Sequence, residues 1–340
     1  MMDWPIGVDR LLVAGICCAL VSSLPCDYVI AQPPSTIYAW EISGSFEEQA
    51  MMASLMGNVN KTSPEMFMGH QFSTHPSNPK FWLDQYLATQ PSTNVSWASS
   101  PTPFFALFAN RVNGYIRFDT RDELNVATSL SGVLSAVVVD ASTEHHAVNA
   151  GLTMIEDVRG HDTAWAVANY GAQFNKDKLI SLDPQLHAHP LRDYAALHNV
   201  LTYWDPPGKG AILAGQNDHT QVYGWDTGEG AAGEFEFFSS ASANNLKAVA
   251  ANFSQSYSAL SQWDVDVPDQ ANHVSPGIPT VDGKHYVAFV MSDGDNAQWL
   301  TNGFANDPKW FGSPHRGNFT MNWDLTPEMI SQAKALQAER

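Results

Sequence analysis

The sequence predicts an α/β protein, with an amino-terminal, mostly parallel α/β region followed by the first β-α-β-α units of a TIM-barrel-like domain that is incomplete. From residue 36 onward, short apolar runs alternate with segments that have helix start signals, as in a parallel sheet with covering helices. The unbroken apolar run 286–291 is typical of a strand buried on both faces. It stops at Ser292-Asp293-Gly294-Asp295-Asn296, and ligands of α/β proteins bind at the carboxyl ends of such strands.

The first residues have the pattern of a secretory signal. Arg10 precedes the apolar run 11–20, and Val29 and Ala31 occupy the positions that signal peptidase reads, so Gln32 is the expected first mature residue. The run is too short to span a bilayer. We therefore expect a secreted or periplasmic protein with no membrane anchor once residues 1–31 are removed. All three cysteines lie in this segment, so the mature chain has no disulfide and no cysteine ligand.

Composition narrows the class of ligand. The formal net charge of −18 argues against nucleic acid and against anionic membranes, because both select basic surfaces. The chain also holds 11 Trp, 10 Tyr and 17 Phe, and sugars stack on such rings. Most of these rings belong to the core, so the count favours a carbohydrate ligand only weakly.

Local patterns predict the elements of the first 275 residues. A strand at 37–42 is followed by a capping box, Ser45 with Glu48, and by a helix that Gly57 and Asn58 end. Residues 89–103 are rich in Ser, Thr and Pro and predict a loop. Further strands are predicted at 65–68, 114–118, 136–139, 210–214 and 234–237, and further helices at 79–87, 122–130, 162–170 and 192–200.

These patterns divide the chain into three parts. A signal peptide over residues 1–31 precedes an amino-terminal α/β region over 32–275, with subdivisions expected near 111 and 185. A new domain begins at 276, and its predicted strands, 286–291 and 318–322, are too few to close a barrel. We therefore expect residues 276–340 to be the start of a longer domain.

Several motifs carry a resemblance to a known family. The strand end at 286–296, with Arg316-Gly317-Asn318 and Trp323-x-x-x-Pro327 after it, resembles the GxGYxYP putative glycoside hydrolase family. The motif that names the family is absent from these residues. The resemblance implies a barrel-like carboxyl-terminal domain and glycosidase activity. Similar amino-terminal motifs are found at 55–60, 125–130, 191–194 and 222–225.

The candidate site follows from the chemistry of glycoside hydrolysis, which needs two carboxyl groups about 5 Å apart for retention or roughly 6.5–9.5 Å apart for inversion. Asp293 and Asp295 are the candidate catalytic pair, with no acid or base assigned. The alternative is that both aspartates only shape a turn around Gly294. Candidate substrate-binding residues, which supply rings and hydrogen-bonding groups, are Asn296, Trp299, Trp323, Asp324 and Trp225.

Two other functions remain open. A carbohydrate-binding or surface protein would need rings and polar partners but no carboxylate pair. A carbohydrate deacetylase would need adjacent aspartates and a pair of metal-binding histidines, whereas Gly294 separates the acids and only His315 follows them. We therefore predict that the protein uses no metal and no cofactor and that its partner is a carbohydrate. The sequence does not indicate an oligomeric state.

Overall fold

The strands pair in parallel and alternate with helices, so the α/β class predicted from the sequence is confirmed. The computed structural model describes residues 33–227, 231–263, 283, 285, 287, 289–291, 296–319 and 321–323. All of them belong to one compact unit that begins at Pro33. In this described part, no helix combines the length and the apolar character needed to cross a membrane.

The first sheet has three parallel strands in the order β2-β1-β3. Its central strand is buried on both faces, since Ile37, Ala39 and Trp40 are fully covered. Its strands are β1 (Thr36–Glu41), β2 (Met66–Gly69) and β3 (Asn94–Ala98). The accompanying helices are α1 (Phe46–Asn60), α2 (Lys80–Thr89) and α3 (Thr102–Phe108).

The second sheet is also parallel, in the order β5-β4-β6. Its strands are β4 (Gly114–Arg117), β5 (Ala136–Val139) and β6 (Met154–Asp157). Its helices are α4 (Arg121–Leu134), α5 (Glu144–Asn149) and α6 (Thr163–Tyr170). Helix α4 begins with a full capping box, in which Thr120 and Glu123 each bond the other's backbone N–H.

The third sheet has four parallel strands in the order β10-β9-β7-β8. Its strands are β7 (Lys178–Ser181), β8 (Leu201–Tyr203), β9 (Gln221–Gly224) and β10 (Lys247–Ala250). Its helices are α7 (Arg192–His198), α8 (Lys209–Ala214), α9 (Ala231–Ala243) and α10 (Tyr257–Leu260).

The described carboxyl-terminal residues contain one parallel strand pair and one helix. These elements are β11 (Val290–Met291), α11 (Ala297–Asn302) and β12 (Asn322–Trp323), so the predicted β-α-β order is present. The barrel stays a prediction. The expected burial of the strand at 286–291 is wrong for its described members, because Val287, Phe289 and Val290 are 74%, 55% and 54% exposed.

Helix α11 is anchored to the amino-terminal region. Ala297 and Leu300 are buried in the same core cluster as Val249 and Tyr257. The Trp82 indole N–H donates to the Thr301 carbonyl oxygen over 2.8 Å. The helix therefore sets the position from which the chain continues toward β12.

Helix α1 is longer than the sequence predicted. Its capping box is present as predicted, but Gly57 and Asn58 continue the helix, which ends at Asn60. A Cβ on Gly57 would lie 2.2 Å from the Asp193 carbonyl oxygen, so the glycine permits α1 and α7 to cross closely instead of ending the helix.

Three other local predictions are wrong, because a short stretch of sequence does not reveal the burial and packing that decide the type of element. The predicted loop 89–103 contains edge strand β3, whose side chains are largely polar or half-exposed. Residues 210–214 lie in helix α8, where Leu213 is the one buried member of the run. The alternating segment 234–237 lies in helix α9, which leaves Phe235 73% exposed and buries Phe237. Apolar runs of four or five residues do not distinguish a strand from one helical turn.

Candidate functional site

The carboxyl ends of β11 and β12 lie side by side. Their parallel register pairs Val290 with Asn322 and Met291 with Trp323, and the Asn322 N–H donates to the Phe289 carbonyl oxygen over 2.9 Å. Because the strands are parallel, the chain leaves both of them at the same edge. The predicted catalytic residues Asp293 and Asp295, and the predicted binding residue Asp324, lie outside the described residues.

A cavity of about 720 Å³ opens beside these strand ends. It is within the usual size range of small-molecule sites. Met291 and Trp323, the last residues of β11 and β12, line this cavity. We call it the cation-lined cavity, and its other described lining residues are Lys309, Trp310, Ser313, His315, Arg316, Gly317, Asn318, Phe319 and Met321.

The rings of this cavity are held by other rings. Trp323 makes edge-to-face contacts with Phe304 and Phe311, at centroid distances of 5.5 and 5.3 Å. Trp310 makes an edge-to-face contact with Trp299 at 4.4 Å. The structure therefore brings the predicted residue Trp323 to the cavity wall, while Trp299 contacts the wall residue Trp310.

The predicted residue Asn296 stands directly before α11, where its backbone oxygen accepts the Trp299 N–H over 3.1 Å. Its side-chain Oδ1 is buried and accepts no hydrogen bond in the described part of the chain. A buried amide oxygen without a donor is destabilising, and Asn296 is not among the described residues that line the cation-lined cavity.

The basic residues that line this cavity have no acidic partner among the described residues. Lys309, His315 and Arg316 are exposed, and none forms an ion pair with a carboxylate in the described part. The Arg316 guanidinium lies 3.8 Å from the centroid of the Phe311 ring, which holds its plane in place through a cation–π contact.

The predicted binding residue Trp225 lies elsewhere. It follows β9, its N–H donates to the Ser181 carbonyl oxygen over 3.1 Å, and its ring stacks on Phe237 at 5.8 Å. The ring packs against the core that the second and third sheets share, and it lines neither of the two cavities described here.

A second cavity, of about 210 Å³, lies at the carboxyl ends of β7 and β8 and at the start of α4 and α6. The sequence analysis did not identify it, although Trp204-Asp205-Pro206-Pro207 directly after β8 was a turn signal at a strand end. We call it the acid-lined cavity, and its lining residues are Asp122, Asn125, His161, Asp162, Thr163, Ala164, Pro184, Trp204, Asp205, Pro206 and Pro207.

Each carboxylate of the acid-lined cavity is bound to a neighbour in the fold. Asp162 caps α6 by accepting the Trp165 N–H over 2.8 Å. Asp122 accepts a hydrogen bond of 3.0 Å from the Gln185 side chain. Asp205 lies 3.6 Å from the Lys209 ammonium. These contacts give all three acids a structural role.

Three of the amino-terminal motifs that resemble the family, 55–60, 125–130 and 191–194, supply buried polar contacts between helices. Arg192 is fully buried and donates to the His187 carbonyl oxygen, to Asn125 Oδ1 and to Thr128 Oγ1, over 2.7 to 3.1 Å. Burial lowers the pKa of Arg192 to about 9. Asn58 likewise donates to the Ser54 carbonyl oxygen, to Ser131 Oγ and to the Ala136 carbonyl oxygen. These motifs lock α1, α4 and α7 together.

Asp193 is the second charged residue buried at this junction. Its Oδ2 accepts the Ser258 N–H over 2.6 Å, and burial raises the pKa of its carboxyl to about 6. Burial also lowers the pKa of His187, His189 and His198 to about 4. In the described residues, no three His, Cys, Asp or Glu side chains are grouped closely enough to hold a metal ion.

Two family models match segments of the chain. Residues 283–336 match the GxGYxYP putative glycoside hydrolase C-terminal domain, and residues 112–174 match the second domain of the amino-terminal part of the same family. The carboxyl-terminal match includes the cation-lined cavity and the predicted carboxylates. No curated protein matches the chain.

A solved structure shows the same fold. The crystal structure of a putative hydrolase from Bacteroides thetaiotaomicron is 21% identical to this chain, with a TM-score of 0.77, and the alignment covers 90% of this chain. This chain spans 60% of the length of that protein. At this identity the likeness concerns the fold.

Proposed function

We propose that this chain hydrolyses glycosidic bonds in an oligo- or polysaccharide at the carboxyl ends of β11 and β12. Its two matched segments make it a member of the GxGYxYP putative glycoside hydrolase family. The observation that carries the proposal is the cation-lined cavity, whose walls include Met291 and Trp323, the last residues of two paired parallel strands. Strand ends of this kind position reacting groups in α/β enzymes.

The carboxyl groups that the reaction needs follow these strands in sequence. Asp293 and Asp295 come two and four residues after the end of β11, and Asp324 comes directly after the end of β12. One carboxylic acid would protonate the leaving oxygen, and the other carboxylate would attack the anomeric carbon or activate a water molecule. We propose Asp293 and Asp295 as this pair, with Asp324 as a further group on the substrate.

The described residues supply the contacts to the substrate. The rings of Trp323 and Trp310 stand on the cavity wall, where a pyranose face can stack on them. We propose Asn296, which stands between β11 and α11, as a further residue on the substrate. We also propose that the protein is exported. Sequencing of the mature protein should find Gln32 as its first residue, and an intact Cys26 would reject this site.

Substitution of the two aspartates in the full-length protein tests the proposal. Asp293→Asn and Asp295→Asn keep size and turn propensity but remove the charge, so reducing-end release from glycans should fall by about 10²–10⁴-fold. The melting temperature should change little. If the aspartates only shape a turn, both variants should keep their turnover within a few-fold. Gly294→Ala should then be the harmful change.

A second candidate function is carbohydrate binding without turnover. The observation in its favour is that the described residues lining the cation-lined cavity include three rings and no carboxylate. Titration calorimetry with glycans, run beside a reducing-end assay, separates the two functions. Binding without product, in the wild type and in both Asn variants, would favour the binding protein.

A further inference from the structure

The described lining of the cation-lined cavity is opposite in charge to the protein as a whole. The sequence holds 35 Asp and Glu against 17 Lys and Arg, so a random surface site would be acidic. The described lining of this cavity nevertheless contains Lys309, His315 and Arg316, and no Asp or Glu. Lysine and arginine on the wall of one cavity create a local positive potential, which attracts a negatively charged ligand.

Lys309 and Arg316 form no ion pair with a described carboxylate. Six other described Lys and Arg side chains form ion pairs, and these are Lys80, Arg111, Arg117, Arg121, Arg159 and Lys209. Lys61, Lys176 and Lys178 form none in the described part either, but Lys309 and Arg316 share one cavity. Both side chains are exposed, so the described residues leave them accessible to a ligand.

We propose that the cation-lined cavity binds an acidic sugar, through a carboxylate or a sulfate ester on the ring. This proposal rests on the proposed function and narrows it to anionic glycans. The Phe311 ring covers one face of the Arg316 guanidinium, at 3.8 Å, which leaves the N–H edges free for two parallel hydrogen bonds to an anionic group. Lys309 adds a point charge, and Trp323 offers a ring for the sugar face.

The geometry also explains why rings and cations occur together here. A neutral sugar needs stacking and hydroxyl partners, and an ammonium group can donate hydrogen bonds to it but adds no attraction between opposite charges. Carboxylate and sulfate both accept charge-assisted hydrogen bonds, which are roughly twice as strong as neutral ones. An acidic pyranose can use both kinds of contact at once, one on its face and the other on its substituent.

Binding measurements on the full-length protein test this proposal. The probes are an oligogalacturonide for the carboxylate, a sulfated galactan oligosaccharide for the sulfate, and a neutral galactan oligosaccharide of the same length. At least one acidic probe should bind more than about 10-fold tighter than the neutral one, and its affinity should fall with added NaCl. The probe that binds tighter identifies the anionic group.

Variants then assign the selectivity to the cavity. Lys309→Ala combined with Arg316→Ala should weaken binding of the acidic probe by about 10- to 100-fold and leave binding of the neutral probe within about 2-fold. Arg316→Lys keeps the charge but loses the planar fork, so it should have an intermediate effect. The matched control is Lys176→Ala, since Lys176 is exposed and lies outside the cavity lining, and it should bind all three probes like the wild type.

Two results would overturn the proposal. One is equal affinity of the wild type for acidic and neutral probes. The other is unchanged acidic binding in the double variant, with circular dichroism showing a native fold. Turnover distinguishes this failure from failure of the proposed function. Equal cleavage of the acidic and the neutral probe by the wild type, unchanged in the double variant, refutes the acidic-sugar proposal alone. Binding of an acidic probe that depends on Arg316, without any cleavage, supports this proposal and refutes hydrolysis.

Discussion

The acid-lined cavity at the ends of β7 and β8 and the cation-lined cavity at the ends of β11 and β12 have described lining residues of opposite charge. These residues also differ in what they contact. In the first, Asp162 caps a helix, Asp122 accepts from Gln185, and Asp205 lies near Lys209. In the second, Lys309 and Arg316 have no described carboxylate partner. Both cavities lie at strand ends, so position in the fold does not distinguish them.

This difference indicates that the contacts of a charged residue, more than its position in the fold, show whether it stabilises the scaffold or is available to a ligand. A charge with a partner in the fold contributes to stability, and its removal leaves that partner unsatisfied. A charge without a partner contributes little to stability and remains available for a ligand. The amino-terminal region, including the buried Arg192, follows the first pattern. The predictions below test whether stability and binding divide between the two regions in this way.

The largest effect on stability is expected from Arg192→Ala. The change leaves the His187 carbonyl oxygen, Asn125 Oδ1 and Thr128 Oγ1 without their donor in the core. The free energy of unfolding should fall by about 3–5 kcal/mol, measured by urea denaturation. Lys309→Ala is the contrasting variant and should stay within about 0.5 kcal/mol of the wild type. A similar loss in both variants would remove the distinction between the regions.

The next largest expected effect is the pH dependence of the free energy of unfolding. Burial raises the pKa of Asp193 from 3.8 to about 6, so its contribution to stability is present below pH 3.8 and is lost as pH rises through 6. That contribution is about 3 kcal/mol. The buried histidines, including His187, act in the opposite direction. Their pKa is lowered from 6.5 to about 4, so the stability that they contribute is lost as pH falls from 6.5 toward 4.

The Asp193 carboxyl and the buried histidines therefore act in opposite directions on the free energy of unfolding of the wild type. Asp193→Asn removes the contribution of the carboxyl, so the free energy of unfolding should rise more steeply between pH 4 and 6.5 in this variant than in the wild type. Urea denaturation at several pH values measures both slopes. Parallel curves would mean that the Asp193 carboxyl has an ordinary pKa.

The smallest expected effect is that of Asp162→Ala. Loss of the hydrogen bond from the Trp165 N–H to this cap should lower the free energy of unfolding by about 1 kcal/mol. Asp162→Asn keeps an acceptor and should recover most of that loss. Binding of glycans should be unchanged in both variants. Weakened glycan binding in Asp162→Asn would instead give the acid-lined cavity a functional role.

Much of the fold could be predicted from the sequence, because helix caps and buried strands leave local signals. The capping box of Ser45 and Glu48 and the apolar runs of β1, β4 and β5 are examples. Edge strand β3 could not be predicted because its side chains are largely polar or half-exposed. Helix α9 could not be predicted because the alternation at 234–237 also fits one helical turn. The role of Gly57 depends on Asp193, which is distant in sequence.

The candidate site was predictable only in part. The strand end before Asp293 was visible because an unbroken apolar run stops there, and Trp323 does line the cavity beside that strand. The cations were not predicted as binding residues. Arg316 was noted only as part of the Arg316-Gly317-Asn318 motif, and the fold brings it to the same cavity as Lys309. Trp225 was assigned to sugar binding from its neighbours, whereas its ring packs on Phe237.

The central claim is that the catalytic carboxylates follow β11 and that the carboxylates of the acid-lined cavity belong to the scaffold. A comparison of two variants tests this claim most directly. Asp295→Asn and Asp205→Asn make the same chemical change, and Asn tolerates the left-handed backbone at residue 205, where φ is 38°. Reducing-end release from one glycan should fall at least about 100-fold in Asp295→Asn and stay within about 2-fold in Asp205→Asn. The reverse order would contradict the account and would place catalysis in the acid-lined cavity.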